Sequence, residues 1–410
     1  MPRGFTLTFG AFQAYYQHNF LSTSSPSAIS WIGTVQSWLL ILAGVLSGPL
    51  FDLGWFRPML VIGNFGVIFG IFMLSLAKTY WQVFLAQGVC MGLGAGLLYV
   101  PSLALVGLSF SKKRSLAQGI VTSGIAVGGS AAAKRTSAFI VTYRFAGGVV
   151  YIIAFDRITT KSGFGWAVRT MGFIACGICV IAFPALLSGT SSLAKARTAR
   201  KLYDPAAFRD SSFLVFTACS FFTFLGYIVP YFYIPAFAQD VLGVSKNSAL
   251  TILVMAIAAS FFGRLSAGLV AHRLGPILTW FCCAAVSGFV SLCWIAVSTQ
   301  SGLIALSIFW GFCSAGLVTL PAAVFPSLCP DPSRLGTRTG MSWGISSFAS
   351  LIGSPIAGAL LKSQGGTGKR PRSSFLGPQL WAGCCLLVGA GTICLLWVMT
   401  VRRRKTGIFV

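Results

Sequence analysis

One cation stands where chemistry could be done inside a membrane. Arg264 lies in "TILVMAIAASFFGRLSAGLVAHRLG", with at least 13 apolar or small residues before it. An ionisable group inside a span costs at least ~2.5 kcal/mol and usually faces a cavity. A guanidinium offers paired N–H donors that match a carboxylate, so one reading is an anion site for a solute. The other is an Arg near the cytoplasmic end of its span, snorkelling to lipid phosphate or bracing the loop beyond Ala271. Gln13, Gln36, Asn64, Gln87 and Tyr231 also fall in apolar runs. Each can contact a solute or hydrogen-bond between helices. The density of Phe221, Phe222, Phe224, Tyr227, Tyr231, Phe232 and Tyr233 suits a ring-containing solute, and equally a lipid-facing or interfacial belt. Two His and six loop-borne Asp form no triad, metal site or phosphate loop, which argues against an enzyme and against a cofactor. The twelve Cys lie mostly in apolar runs without paired spacing, so neither a disulfide framework nor a zinc site is indicated. The Cys176–Cys179 pair reads as packing.

The elements that must position these residues are transmembrane helices. The 410 residues are 56% hydrophobic and only 9% charged, against about a quarter charged in a soluble domain. Uncharged runs longer than ~18 residues read as spans. Splitting them at their breakers predicts twelve: roughly 3–17, 31–51, 58–77, 81–106, 115–155, 170–188, 211–231, 249–271, 276–297, 302–325, 339–361 and 379–400. The first looks truncated, because the apolar run Gly4 to Tyr16 has 13 residues and a bilayer core is about 30 Å thick. The segment 188–210 is the longest central polar stretch. It divides an N-terminal six-helix half, 1–187, from a C-terminal half, 211–401, followed by a basic tail, 402–410. Placing that segment in the cytoplasm puts 17 Lys and Arg on that side and nine outside, so both termini are expected to be cytoplasmic. The net charge of +24 is scattered over short loops, with no basic helix face, which argues against nucleic acid. The halves repeat. "GLLYVP" at Gly96 answers "GLVTLP" at Gly316, Gly48 answers Gly268 at the same offset, and Arg114 to Gly119 answers Arg334 to Gly340 at nearly that offset. Duplicated six-span units are the signature of a secondary transporter with a midplane cavity. The expected fold is thus an all-α polytopic membrane protein.

Two motifs carry a resemblance. "GPLFDLGWFR" spans Gly48 to Arg57, where Gly48, Asp52, Gly54 and Arg57 combine close helix approach, a tight turn and a charge pair. It resembles the loop motif of the major facilitator superfamily, which implies a latch between the halves and a gating role for those four residues. Its counterpart, "GRLSAGLVAHRLG", has His272 in place of the Asp. "FSKKRSLAQGIVTSG" resembles the monocarboxylate porter signature at the start of span five. Phe110, Lys112, Arg114, Leu116, Ala117, Gly119 and Gly124 match, while Ser109 and Val121 stand where that family usually has Tyr and Ala. "SSPSAISWIG", "QGVCMGLGAGLLYVPSLAL" and "GYIVPYFYIPAFA" look like its fungal branch. The resemblance covers nearly the whole chain and implies the major facilitator fold, two six-helix halves around a central cavity. Animal members pair the Arg of span eight with an Asp one turn earlier, where this chain has Ser260, and carry a Lys in span one, near Phe9 or Gly10 here. Both are absent, which argues against lactate-type proton symport and leaves few carriers for any proton coupling.

The leading reading is a secondary active or facilitative transporter of a small organic solute, working by alternating access. The solute is a monocarboxylate or related organic acid, with an anion as the candidate partner, or a secondary metabolite for efflux. The expected substrate-binding set is Arg264, Ser260, Gln36, Asn64, Tyr231 and Gln13. The plasma membrane is the expected location, the lipid bilayer the expected surroundings. Alternatives are a non-transporting sensor of the same fold, or a non-functional product of a mis-spliced gene model. The latter comes from "SGIAVGGSAAAKRTSAFIVTYRFAGGVVYIIAFDR", Ser123 to Arg157, which puts Lys134, Arg135 and Arg144 inside span five. Without Ser130 to Ala146 that span is ordinary in length, so the segment reads as an insertion, about 130–146, of intron origin. If translated, a helix is expected from about Ser115 to Ala133.

Overall fold

The computed structural model describes residues 8–21, 24–99, 154–155, 157–180, 202–329, 332–361 and 371–405, and every regular element among them is helical. Helix α1, Phe9–Tyr15, runs on as a π-helical stretch, Tyr16–Phe20. Then come α2 (Pro26–Asp52), α3 (Phe56–Leu76), α4 (Tyr80–Tyr99, π-helical over Phe84–Cys90) and α5 (Arg157–Val180). Helix α6, Ser211–Asp240, breaks at Ile228 into Ser211–Tyr227 and Val229–Asp240. Helices α7 (Lys246–Leu274), α8 (Pro276–Cys293), α9 (Gln300–Thr319), α10 (Pro332–Leu360) and α11 (Leu376–Lys405) complete the bundle. All from α2 to α11 are long and apolar enough to cross a membrane. The expected fifth span, its insertion and the expected helix from Ser115 to Ala133 lie outside the described residues, apart from a few at the span's end.

Local chemistry starts these helices where the sequence repeats. Ser25 caps α2, its Oγ accepting from Ala28 N, and Ser245 caps α7 by accepting from Ser248 N. The two starts, Pro26 and Lys246, are separated by the offset of the sequence repeat, as are those of α3 at Phe56 and α8 at Pro276. Thr79 and Thr299 cap α4 and α9 in nearly the same extended conformation. The turns into α3 and α8 each use a glycine at positive φ, Gly54 at 87° and Gly275 at 93°. Only glycine takes that conformation without strain. Three capping and turn devices recurring in order show that the two halves share one design.

One boundary differs from expectation. The stretch "RITTKSGFGWAVR" reads as a loop because of its charges, yet it is the first part of α5. Its cations are accommodated at the helix edge. Arg157 and Lys161 are exposed, while Arg169 lies over the Trp166 ring at 5.2 Å and donates to Ser75 Oγ at 3.4 Å. Arg157 and Lys161 thus sit near the start of the helix, where long basic side chains can reach the membrane surface, while Arg169 lies mid-helix against Trp166 and Ser75.

The halves meet along two seams. Helix α2 packs along α10, with Ser27 Oγ donating to Pro355 O at 3.1 Å, the Trp38 and Phe348 rings 5.7 Å apart, and Val45 beside Gly340. Helix α1 packs on Val229–Asp240, and the Phe9 and Phe232 rings lie 4.7 Å apart. Within the C-terminal half, α7 and α9 touch backbone to backbone. A Cβ at Gly263 would run into Phe312 O, and one at Gly311 into Ala256 O. Small residues permit such close crossings where lipid supplies no hydrophobic drive. Between α6 and α10, Arg338 donates through Nε to Asp204 Oδ2 and through Nη1 to Asp210 Oδ2, both at 3.0 Å.

Candidate solute site between the two halves

Arg264 lies past the middle of the 29-residue α7, about 15 Å short of its end by helical rise. It is only 6% exposed. Helical side chains lean toward their own N-terminus. Arg264 Nη1 accordingly donates back to Ser260 Oγ at 3.2 Å, while Ser260 donates to Ile257 O at 2.7 Å. Arg264 Nε has no hydrogen-bond partner among the described residues.

Tyr231 approaches from α6, just beyond the break at Ile228. Its hydroxyl lies 3.1 Å from Ser314 Oγ of α9. The Tyr227 and Trp310 rings stand 5.7 and 6.1 Å from Tyr231. Tyr227 OH and Trp310 Nε1 are buried and unpaired among the described residues. The C-terminal half therefore gathers one cation, two further unused N–H or O–H donors and three aromatic rings. Such a group matches an anion carried on a ring system.

The N-terminal half faces it with neutral amides. At Gly10 of α1 the halves come close, since a Cβ there would run into Tyr231 O. Gln13 and Tyr16 follow Gly10 at intervals of three, on the same face. Tyr16 OH donates to Gln87 Oε1 of α4 at 2.8 Å. Gln87 Nε2, Gln36 Oε1 and both polar atoms of Gln13 are buried without partners among the described residues. Both partners of the Tyr16–Gln87 bond lie in π-helical turns, a distortion that recurs at functional sites.

Of the expected substrate set, the structure groups Arg264, Ser260 and Tyr231 on one side and Gln13 and Gln36 on the other. Asn64 stands apart. Its Nδ2 donates to Leu60 O at 2.8 Å and its Oδ1 accepts from Cys179 Sγ at 3.3 Å, so it joins α3 to α5. The four expected gating residues cluster at the end of α2. Gly48 is buried, Asp52 closes the helix half-buried, Gly54 makes the left-handed turn and Arg57 is exposed. Phe110, Lys112, Arg114, Leu116, Ala117, Gly119 and Gly124 lie outside the described residues. Sequence reasoning passed over Tyr16, Ser314 and Trp310. The repeat held a signal for the α9 pair, because Ser307, which answers Gln87 at the repeat offset, is also buried and without a partner among the described residues, and Trp310 follows one turn later. A separate apolar groove of about 570 Å³, lined by Met255, Phe262, Phe309 and Phe312, opens on the far side of α7 from Arg264 and faces lipid.

A bundle of apolar helices in two repeated halves, with polar groups buried between them, defines an integral membrane transporter. The chain belongs to the Major Facilitator Superfamily, whose family model matches residues 4–331. It is 36% identical over 393 residues to the MFS-type transporter dbaD of Emericella nidulans, covering 96% of this chain and 82% of that one. It is 33% identical to the aspyridones efflux protein apdF of the same organism, covering 94% and 72%. The agnestins efflux protein AgnL12 of Paecilomyces divaricatus is 32% identical, with 99% and 86% covered. A solved structure of the human organic anion transporter MFSD10 shares the fold, with a TM-score of 0.62 over 97% of both chains at 14% identity. The protein is a transmembrane transporter of a small organic solute and not an enzyme.

Proposed function

We propose that the protein exports an acidic, ring-containing secondary metabolite from the cytoplasm, with Arg264 as the anion site. One observation carries this reading: a buried guanidinium keeps an unused N–H donor amid unpaired aromatic donors and has no carboxylate neighbour among the described residues. Burying an uncompensated cation is costly, and an anionic solute would offset that cost. The names of relatives, efflux proteins for aspyridones and for agnestins, support export. The reading places the chain beside the monocarboxylate porters, in the plasma membrane with both termini cytoplasmic, and gives Gly48, Asp52, Gly54 and Arg57 the gating role. The test is efflux and uptake of acidic aromatic metabolites and of lactate in a strain lacking its own transporters. Arg264→Ala is expected to cut efflux of the acidic metabolite at least ~10-fold, the loss of one charge-assisted hydrogen bond. Unchanged transport of an anionic substrate by that variant would sink the assignment.

A further inference from the structure

We propose that transport is electrogenic and not coupled to protons: the membrane potential alone drives the anion outward, and the return of the empty, positively charged Arg264 site is the voltage-sensitive step. The proposal rests on Arg264 being the anion site.

The argument is an inventory of charge. The chain has six acidic residues, all Asp. Asp52 closes α2 and Asp240 closes α6, while Asp204 and Asp210 precede α6 and bind Arg338. Asp156 and Asp331 stand in the sequence immediately before α5 and α10. The stretches 100–153 and 181–201, outside the described residues, contain no Asp, Glu or His. Of the two His, His272 is exposed near the end of α7, and His18 falls in the π-helical end of α1. Among the described residues, Arg264 bonds to Ser260, and the group beside it is Tyr231 with its neighbours Tyr227, Ser314 and Trp310; none of these residue types exchanges a proton near neutral pH. Nothing in that set can take up a proton as the solute leaves.

Two consequences follow for the cycle. With solute bound, the guanidinium and the anion cancel, so the loaded carrier reorients with no net charge at the site. Empty, the same site reorients as a cation. One turn of the cycle therefore carries one negative charge outward. An inside-negative potential favours the empty site facing the cytoplasm, ready for the next anion. The repeat makes the charge one-sided. Gly44 occupies the position that answers Arg264 at the repeat offset, and the N-terminal half meets the solute with the uncharged Gln13, Gln36 and Gln87. Each 100 mV should sustain a roughly fiftyfold gradient of a monovalent anion.

The full chain in liposomes tests this, with 2-naphthalenesulfonate as a probe that stays ionised across the working pH range. Potassium and valinomycin set the potential, and buffers set the pH gradient separately. The expected steady gradient of probe is about fiftyfold at 100 mV and unchanged by a pH gradient. On the solute-free protein, voltage steps should give transient charge movement that Arg264→Gln abolishes and Arg264→Lys retains. A gradient of probe set by pH at zero potential overturns the proposal, as does a wild type without charge movement. Flux that is lost in Arg264→Gln but indifferent to voltage ends the coupling and leaves Arg264 as the anion site. Flux and charge movement unaltered in Arg264→Gln would end the anion-site reading as well.

Discussion

At the scale of single residues, the site is defined by polar atoms that burial has left unused. Beside the Arg264–Ser260 and Tyr231–Ser314 contacts, the Tyr16–Gln87 bond is one that is made, and it can be cut from either side. Tyr16→Phe leaves the whole Gln87 amide buried and unpaired. Hydrogen bonds between membrane helices are worth about 0.6 kcal/mol on average and at most about 1.7, so a small but measurable fall in thermal stability is expected. Adding Gln87→Leu removes the stranded amide and should restore most of the loss. If Gln87 also serves the solute, Gln87→Leu alone should depress transport more than stability. Unfolding in detergent, run as a double-mutant cycle beside flux assays, separates the two. Transport that falls only in proportion to folded protein would make the pair purely structural. Arg264 was legible in the sequence because a charge in an apolar run is expensive wherever it points. Asn64 and Gln13 were not distinguishable there. Each is an amide in an apolar run, and only packing shows that Asn64 spends its groups on Leu60 and Cys179 while Gln13 spends none.

At the scale of elements, the crossing of α7 and α9 sets the distance between Ser260 and Arg264 on one helix and Trp310 and Ser314 on the other. Gly263 and Gly311 contact each other's helix backbones reciprocally. Gly311→Val would force its side chain into the Ala256 carbonyl. Overpacking of this kind costs about 1–3 kcal/mol and occasionally more. The expected result is a lower yield of monodisperse protein, and loss of transport in what remains. Gly344→Ala is the control, because among the described residues nothing lies within 4 Å of a Cβ there. Equal behaviour of the two variants in size-exclusion chromatography would show that the crossing tolerates separation. Most helices were legible from hydropathy, and in the structure the starts of α7, α8 and α9 follow those of α2, α3 and α4 at the offset of the internal repeat. The start of α5 was not. Its Arg157, Lys161 and Arg169 look like a loop to any charge count, and only three dimensions reveal Trp166 and Ser75 beneath Arg169. The π-helical turns at Tyr16 and Phe84 were also hidden, since an inserted residue in a helix leaves the apolar run unchanged.

At the scale of the molecule, alternating access needs the two halves to move as bodies, and each body must hold its own helices together at its ends. In the C-terminal half, Arg338 does this by joining α10 to the segment that leads into α6. Asp204 and Asp210 receive its two donors, and both also cap helical turns, accepting from Ala206 N and Ser212 N. Arg334 reaches Asp204 at 3.8 Å from a far more exposed position. Arg338 and Asp204 are 11% and 15% exposed in their side chains, so salt should screen this pair less than an ordinary surface bridge. The Arg338 hydrogen bond holds the Asp204 carboxyl below the usual carboxylate range. A depressed folded-state pKa contributes stability above the unfolded value, ~3.9 for Asp, and that contribution is lost as pH falls through the lower, folded value. Arg338→Gln should therefore melt earlier than wild type by a margin that is constant from pH 7 to 5. The margin should close as the medium is acidified below about pH 4. Thermal unfolding in nanodiscs over that range reads both curves. A margin that persists undiminished at the acid end would mean that Arg338 contributes through packing on α6, and that the carboxylates are not what ties α10 to the body it moves with.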